Sequence, residues 1–236
     1  MKPWGILATL GWGVLAMLIG QVVAALGLYF YFGGEMPDLT AVSKFDGGAV
    51  SIEALVTNTV VFGVVALAAR LARWNAIDYL ALTPPRGRDL ALGLGVTAIL
   101  IAAMDGGSWL VGRDVVTPFQ AEADRTARAT GWLPYLIVAV VVAAPVGEDV
   151  LHRGFLFRGW VRSPATAPIA IVVISLLWAS LHLQYDWFGI GQVFLIGLVL
   201  GWLRWRSGST LLTIACHMLI NLVGVIETFV VADWLK

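Results

Sequence analysis

Of the chain's 236 residues, 59% are apolar and only 13% charged, against roughly 45–50% and 25% in a soluble domain. A mean hydropathy of +0.86 leaves more apolar side chain than one water-soluble core can hide, which excludes a soluble globular protein and a disordered one alike. Fifteen Lys plus Arg balance fifteen Asp plus Glu without a basic run, so no nucleic-acid partner is expected, and the single cysteine, Cys216, permits neither an internal disulfide nor a thiolate metal site.

No charge interrupts Pro3–Gly34, a stretch longer than a signal peptide's apolar core and read as an uncleaved first span. Further apolar runs follow at Val50–Leu71, Leu90–Met104, Trp132–Phe157, Ala165–Leu183, Trp187–Leu203 and Thr210–Val231. They predict an all-α polytopic transmembrane bundle of about seven spans, the third of them short. Polar punctuation separates the runs: Gly33-Gly34 to Gly47-Gly48, the Pro84-Pro85-Arg86-Gly87 turn, a long Asp105–Gly131 loop, and links at Ser163-Pro164 and Ser207-Gly208. No repeat of fixed period is visible.

Lys2, Arg70, Arg73, Arg86, Arg88, Arg158, Arg162, Arg204 and Arg206 fall on one side of the alternating topology. The other side holds Lys44, Arg113, Arg125, Arg128 and Lys236, with acids such as Glu35, Asp38, Glu122 and Asp124. Positive loops stay cytoplasmic, so the expected orientation is N-terminus in, C-terminus out, in a plasma membrane. Trp4, Trp74, Trp132, Trp160, Trp187, Trp202, Trp205 and Trp234 sit near span ends, as an interfacial belt does. Twelve Arg to three Lys, with abundant Ala and Gly, hints at a GC-rich prokaryotic genome.

A charge at mid-bilayer costs about 2.5–3.5 kcal/mol even on the lenient insertion scale, which makes intramembrane ionisable groups functional candidates by default. The fourth run carries Glu148, Asp149, His152 and Arg153, the fifth ends at His182, and the seventh holds His217 and Asn221. Residues four apart share a helix face, so Glu148 lies over His152, Asp149 over Arg153, Trp178 over His182 and His217 over Asn221. The Asp149/Arg153 pair reads as a buried ion pair that neutralises Arg153. His152 is expected to support or pack rather than react, and Asp186 to be solvated in a short outer loop. About a turn at Pro164-Ala165, Glu148 and His182 are nearly equidistant, ~25 Å from its tip, so they can face each other. His217 lies only ~15 Å past its own turn, a mismatch that needs tilt, a helix extension or a dipping Gln184–Gly191 loop.

Glu148-Asp149-x-x-x-Arg153, Trp178-x-x-x-His182 and His217-x-x-x-Asn221, in that order on apolar helices, resemble the pattern of the CPBP family, the CAAX proteases and bacteriocin-processing enzymes that include the type II CAAX prenyl endopeptidases. The resemblance covers roughly Leu133 to Val230. Residues 132–236 are accordingly read as the catalytic bundle and 1–131 as transmembrane helices and loops without a recognised motif. Two departures stand out: Asp149 occupies the second Glu position, and Trp178 replaces a Phe, where an aromatic wall is preserved and the effect should be mild. The resemblance implies an intramembrane endopeptidase that hydrolyses a peptide or membrane-protein substrate in the bilayer, with Glu148 as general base and Asp149, Arg153 and Trp178 in support. His182 and His217 would either bind a catalytic Zn2+ together with Glu148 or, with Asn221, donate to the oxyanion in a metal-free glutamate-type reaction. Two other classes use such residues: a proton- or cation-coupled transporter, and a non-catalytic immunity or chaperone membrane protein. The nearness of His217 to the Arg-rich links predicts a site opening on that side, toward the cytoplasm.

Overall fold

The computed structural model describes residues 2–35 and 46–234; Asp38, Lys44 and Lys236 of the charge balance lie outside them. The described residues fold into helices without a strand: α1 (Ile6–Tyr31), α2 (Gly47–Leu71), the short α3 (Ala76–Tyr79), α4 (Gly87–Leu110), α5 (Pro118–Thr130), α6 (Leu133–Trp160), α7 (Ala167–Ser180), α8 (Trp187–Ser207) and α9 (Thr210–Trp234). Helices α1, α2, α4, α6, α8 and α9 are long and apolar enough to cross a membrane.

Three boundaries differ from the sequence reading. The third run is not short, because Asp105, Gly106 and Gly107 continue the helix, and α4 reaches 24 residues. The segment between residues 105 and 131 is not a loop: it completes α4 and then forms α5. Thr117 and Gln120 make a reciprocal capping box there, Pro118 starts the helix, and Gly131 ends it at φ 78°. The fifth run shrinks to the 14 residues of α7, which places His182 in a turn beyond the helix end.

Small residues set the packing of α1 on α2. The inward positions of α1 are Thr9, Gly13, Ala16, Gly20, Ala24 and Leu28, at helical spacing, and a Cβ added at Gly20 would come within 3.0 Å of Thr57. In lipid, where burying apolar surface gives no separate drive, such close backbone approach supplies the attraction. Leu7, Val14, Leu18, Val22 and Phe30 remain exposed on the outer face of α1, as lipid contact requires.

Helix α6 is irregular. It contains π-helical stretches at Ala139–Ala143 and Val150–Leu156, the first just before Pro145, whose ring and missing N–H disrupt the ladder toward Val141. Each stretch lends a carbonyl to a side chain of another helix: Val140 O accepts from Asn221 Nδ2 at 2.8 Å, and Arg153 O from Arg204 Nε at 2.9 Å. The Arg204 end of the bundle is fastened further by Thr210, whose hydroxyl donates to Leu80 O at 2.6 Å, and by Arg158, which caps the Asp78 and Tyr79 carbonyls.

Candidate active site

The indole of Trp178, 2% exposed, is the centre of the site. Its Nε1–H donates to Glu148 Oε2 at 2.6 Å. The Arg153 guanidinium lies 4.2 Å from its ring centre, and the His182 and His217 rings meet it nearly edge-on, with centroids 5.0 and 5.3 Å away. Replacement of Phe by Trp therefore does more than preserve a wall: it adds a donor that fixes the carboxylate, an effect the aromatic class of the residue could not reveal.

His182 Nδ1 lies 2.9 Å from Trp178 O. A carbonyl only accepts, so Nδ1 is the donor of this bond, and the Nδ1–H tautomer keeps a lone pair at Nε2. Tyr185 stacks on His182 with ring centroids 6.2 Å apart. Burial, and secondarily the charge of Glu148, push the Tyr185 phenol up to about 12, so it stays neutral. His152 Nδ1 sits 2.7 Å from the backbone oxygen of Glu148, a supporting contact with the main chain.

Behind this layer Asp149 and Arg153, 0% and 1% exposed, form an ion pair at 2.9 Å without the alignment of a hydrogen bond. Asp149 Oδ2 also faces His217 Nδ1 at 3.7 Å, too far for a hydrogen bond. Gly147, beside Glu148, is required by packing, because a Cβ there would collide with the Asn58 side chain of α2. Thus Glu148, Asp149, Arg153, Trp178, His182 and His217 form one cluster, and Asn221, in the same cavity wall, braces the first π stretch of α6.

Two cavities meet at Glu148. The first, 330 Å³, is lined by α4, α5, α6 and α9 and includes Glu148, His182, His217 and Asn221. The second, 480 Å³, lies between the α1–α2 pair and the end of α7 and shares Glu148, Trp178 and His182 with the first. None of the Arg-rich links lines either cavity. The expected opening on the Arg-rich side is therefore corrected: the first cavity runs to the opposite end, walled by Phe119, Gln120 and Tyr185. His182 sits at that end because α7 stops short. Asp186, expected to be merely solvated, caps α8 through Gly189 N–H and pairs with Arg113 at 2.5 Å.

Sequence reasoning passed over Glu53, Asp105 and Glu227, which sit inside α2, α4 and α9 and line the cavities. The rule that singled out Glu148 applies to them equally; they belong to no motif and so drew no attention. The carboxyls of Asp105 and Glu227 face one another across the α4–α9 seam.

Two imidazoles and a carboxylate have the chemistry of zinc ligands. Among the described residues, however, no three His, Cys, Asp or Glu side chains converge on one point, and the indole lies against both imidazoles. In this arrangement the residues do not form a metal site.

Fold and site together define an integral membrane protein with a carboxylate, two histidines and an amide at a cavity between its helices. Residues 130–223 match the family described as type II CAAX prenyl endopeptidase Rce1-like. An uncharacterized 24.3 kDa protein of Escherichia coli is 31% identical over 94 residues, 38% of this chain and 42% of the relative. The chain thus spans less than half the length of the curated relative it matches. No solved structure matches it.

Proposed function

We propose that the protein is an intramembrane endopeptidase acting on a peptide or a membrane-protein segment by a glutamate-type reaction. The observation that carries this reading is the convergence of Glu148, Trp178 and His182 on the wall shared by two cavities, with His217 against the same indole on the side of the first.

Glu148 takes a proton from water as the water oxygen adds to the peptide carbonyl carbon. With Trp178 N–H on Oε2, Oε1 is the oxygen left to act as base. The lone pair at His182 Nε2 accepts the water's second hydrogen and orients the attack. Asn221, anchored to Val140 O by one amide hydrogen, has a second for the oxyanion, and His217, in the same cavity wall, is the further donor toward that oxygen. Collapse breaks the C–N bond, and Glu148 returns its proton to the leaving amine, giving an acid and an amine.

The Lys and Arg bias supports a cytoplasmic N-terminus in a prokaryotic plasma membrane; the first cavity then opens on the outer side. Thiol labelling of cysteines introduced at positions 119 and 185 of a Cys216→Ala background, by an impermeant reagent in intact cells, tests that orientation. For the reaction, detergent-purified protein is assayed on a fluorogenic peptide library beside Glu148→Gln, with and without a chelator. Cleavage by wild type that is lost in Glu148→Gln and indifferent to chelator is expected. Chelator sensitivity restored by Zn2+ would replace the metal-free route, and proton-gradient-dependent solute uptake in liposomes without cleavage would favour a transporter.

A further inference from the structure

The second cavity contains a carboxylate that the proposed chemistry does not use. Glu53 lies in the first third of α2, within the span Gly47–Leu71. Its hydrogen bond is a long one, from Gln21 Nε2 at 3.4 Å, and no ion pair among the described residues reaches it. A carboxylate in a membrane span without a cation is costly, and its retention calls for a partner that arrives from outside the fold. The two fully buried acids have theirs, Asp149 in Arg153 and Asp124 in Arg128, and the half-buried Asp105 and Glu227 face one another; Glu53, also half-buried, has only Gln21.

The cavity around Glu53 is open at the side. Helix α7 packs mainly on α8 and α6, and α1 and α2 pack on each other and on α6, so the α1–α2 pair and the end of α7 stand apart as the two banks of a channel. Its rim carries exposed Gln21, Leu181 and Leu183. Its floor is Gly147, Glu148 and His152, and Glu148 is also the wall of the first cavity. An extended chain lying across Glu148 therefore occupies both cavities at once, with one flank passing Glu53.

We infer that the second cavity is the subsite for one flank of the cleaved segment, and that Glu53, presented beside Gln21, selects a Lys or Arg side chain there. The inference rests on the endopeptidase reading and adds to it the class of side chain recognised. A cationic side chain carried into the bilayer finds in Glu53 the neutralising partner that offsets its desolvation, whereas a neutral analogue leaves Glu53 as it stands. The apolar rim accepts the aliphatic stem of Lys or Arg.

The test scans a single Lys, or norleucine as its uncharged counterpart, through an otherwise apolar fluorogenic peptide. The full-length protein is used in detergent as wild type, Glu53→Gln and Glu53→Lys. Wild type is expected to cut at one fixed distance from the Lys, with kcat/KM at least roughly tenfold above the norleucine peptide. That ratio should fall toward one in Glu53→Gln, and Glu53→Lys should prefer a Glu-bearing peptide, a gain that misfolding cannot imitate. A Lys preference that survives in Glu53→Gln, or none in wild type, overturns the inference.

Binding of the dye-labelled peptides to Glu148→Gln, with and without Glu53→Gln, is read in parallel by anisotropy. If wild type cleaves nothing, the endopeptidase reading falls and this arm alone decides the subsite. Lys-peptide affinity that depends on Glu53 upholds the subsite, and equal affinities overturn it.

Discussion

The α1–α2 pair and helix α6 are both apolar and both span-length, yet they are built on opposite plans. α1 and α2 are unbroken α-helices joined by small residues at regular spacing, with Gly20 against Thr57 and Gly27 against Ile52. α6 is interrupted by two π stretches that flank the Glu148-Asp149 turn. Each irregular stretch supplies a carbonyl that draws another helix in, α9 through Asn221 and α8 through Arg204. The regular pair gives the chemistry a wall, and the irregular helix gives it direction. π stretches gather at functional sites elsewhere; here the two lie on either side of the proposed base.

The comparison breaks most directly at Glu148. Glu148→Gln keeps size and can still accept from Trp178, so the fold should persist by circular dichroism and gel filtration while peptide cleavage falls about 10²–10⁴-fold. Equal activity in the two proteins would remove α6 from the chemistry altogether. Next comes the pair behind it. Asp149→Ala leaves Arg153 buried without its counter-charge, and should cost about 3–5 kcal/mol, read as a large fall in apparent Tm in detergent. The double change Asp149→Leu with Arg153→Met should recover most of that stability yet not the activity, because His217 then loses the carboxylate facing Nδ1.

The regular pair should respond differently. Gly20→Leu drives a side chain into Thr57 and should cost about 1–3 kcal/mol by overpacking, lowering Tm while a folded fraction keeps its Lys-to-norleucine selectivity. Smaller again is Trp178→Phe. Both edge contacts and most of the Arg153 stacking survive, and only the bond to Glu148 is lost, so kcat/KM should drop roughly 5- to 30-fold, the equivalent of about 1–2 kcal/mol. A loss as deep as that of Glu148→Gln would mean that the indole itself takes part in the reaction.

How much of this could be read from the chain follows from the range of the forces involved. Spans are local and compositional, so the run Thr210–Val231 is found nearly unchanged as α9. The three motifs are i,i+4 pairs, of which Trp178/His182 runs past the end of α7; order and spacing brought Glu148 opposite His182 but left His217 out of register with them. Helix α5 was legible too, through Thr117-Pro118 with Gln120 and the closing Gly131, but a search for apolar runs passes over an amphipathic helix of 13 residues. The bond from Trp178 to Glu148 and the lending of Val140 O to Asn221 are long-range. No local pattern encodes a π stretch beyond Pro145, and the opening of the cavity away from the Arg-rich links depends on where α7 stops.

The smallest effect belongs at the far end of the first cavity, where the α7–α8 link is pinned to the residues after α4. Asp186 is held below the ordinary carboxylate range, first by the backbone N–H of Gly189 and then by Arg113. A carboxylate whose folded value is depressed contributes stability that is fully present above its unfolded value, roughly pH 4, and is lost as pH falls through the folded value. Its side chain is 55% exposed, so solvent and salt screen most of the pairing. Asp186→Asn retains a side-chain oxygen to cap Gly189 N–H and gives up only the charge. The Tm difference between wild type and this variant should therefore be slight at pH 7, shrink further in high salt, and close as the pH is lowered below about 4. A difference that persists there would show that the cap, not the pairing with Arg113, is what Asn fails to replace.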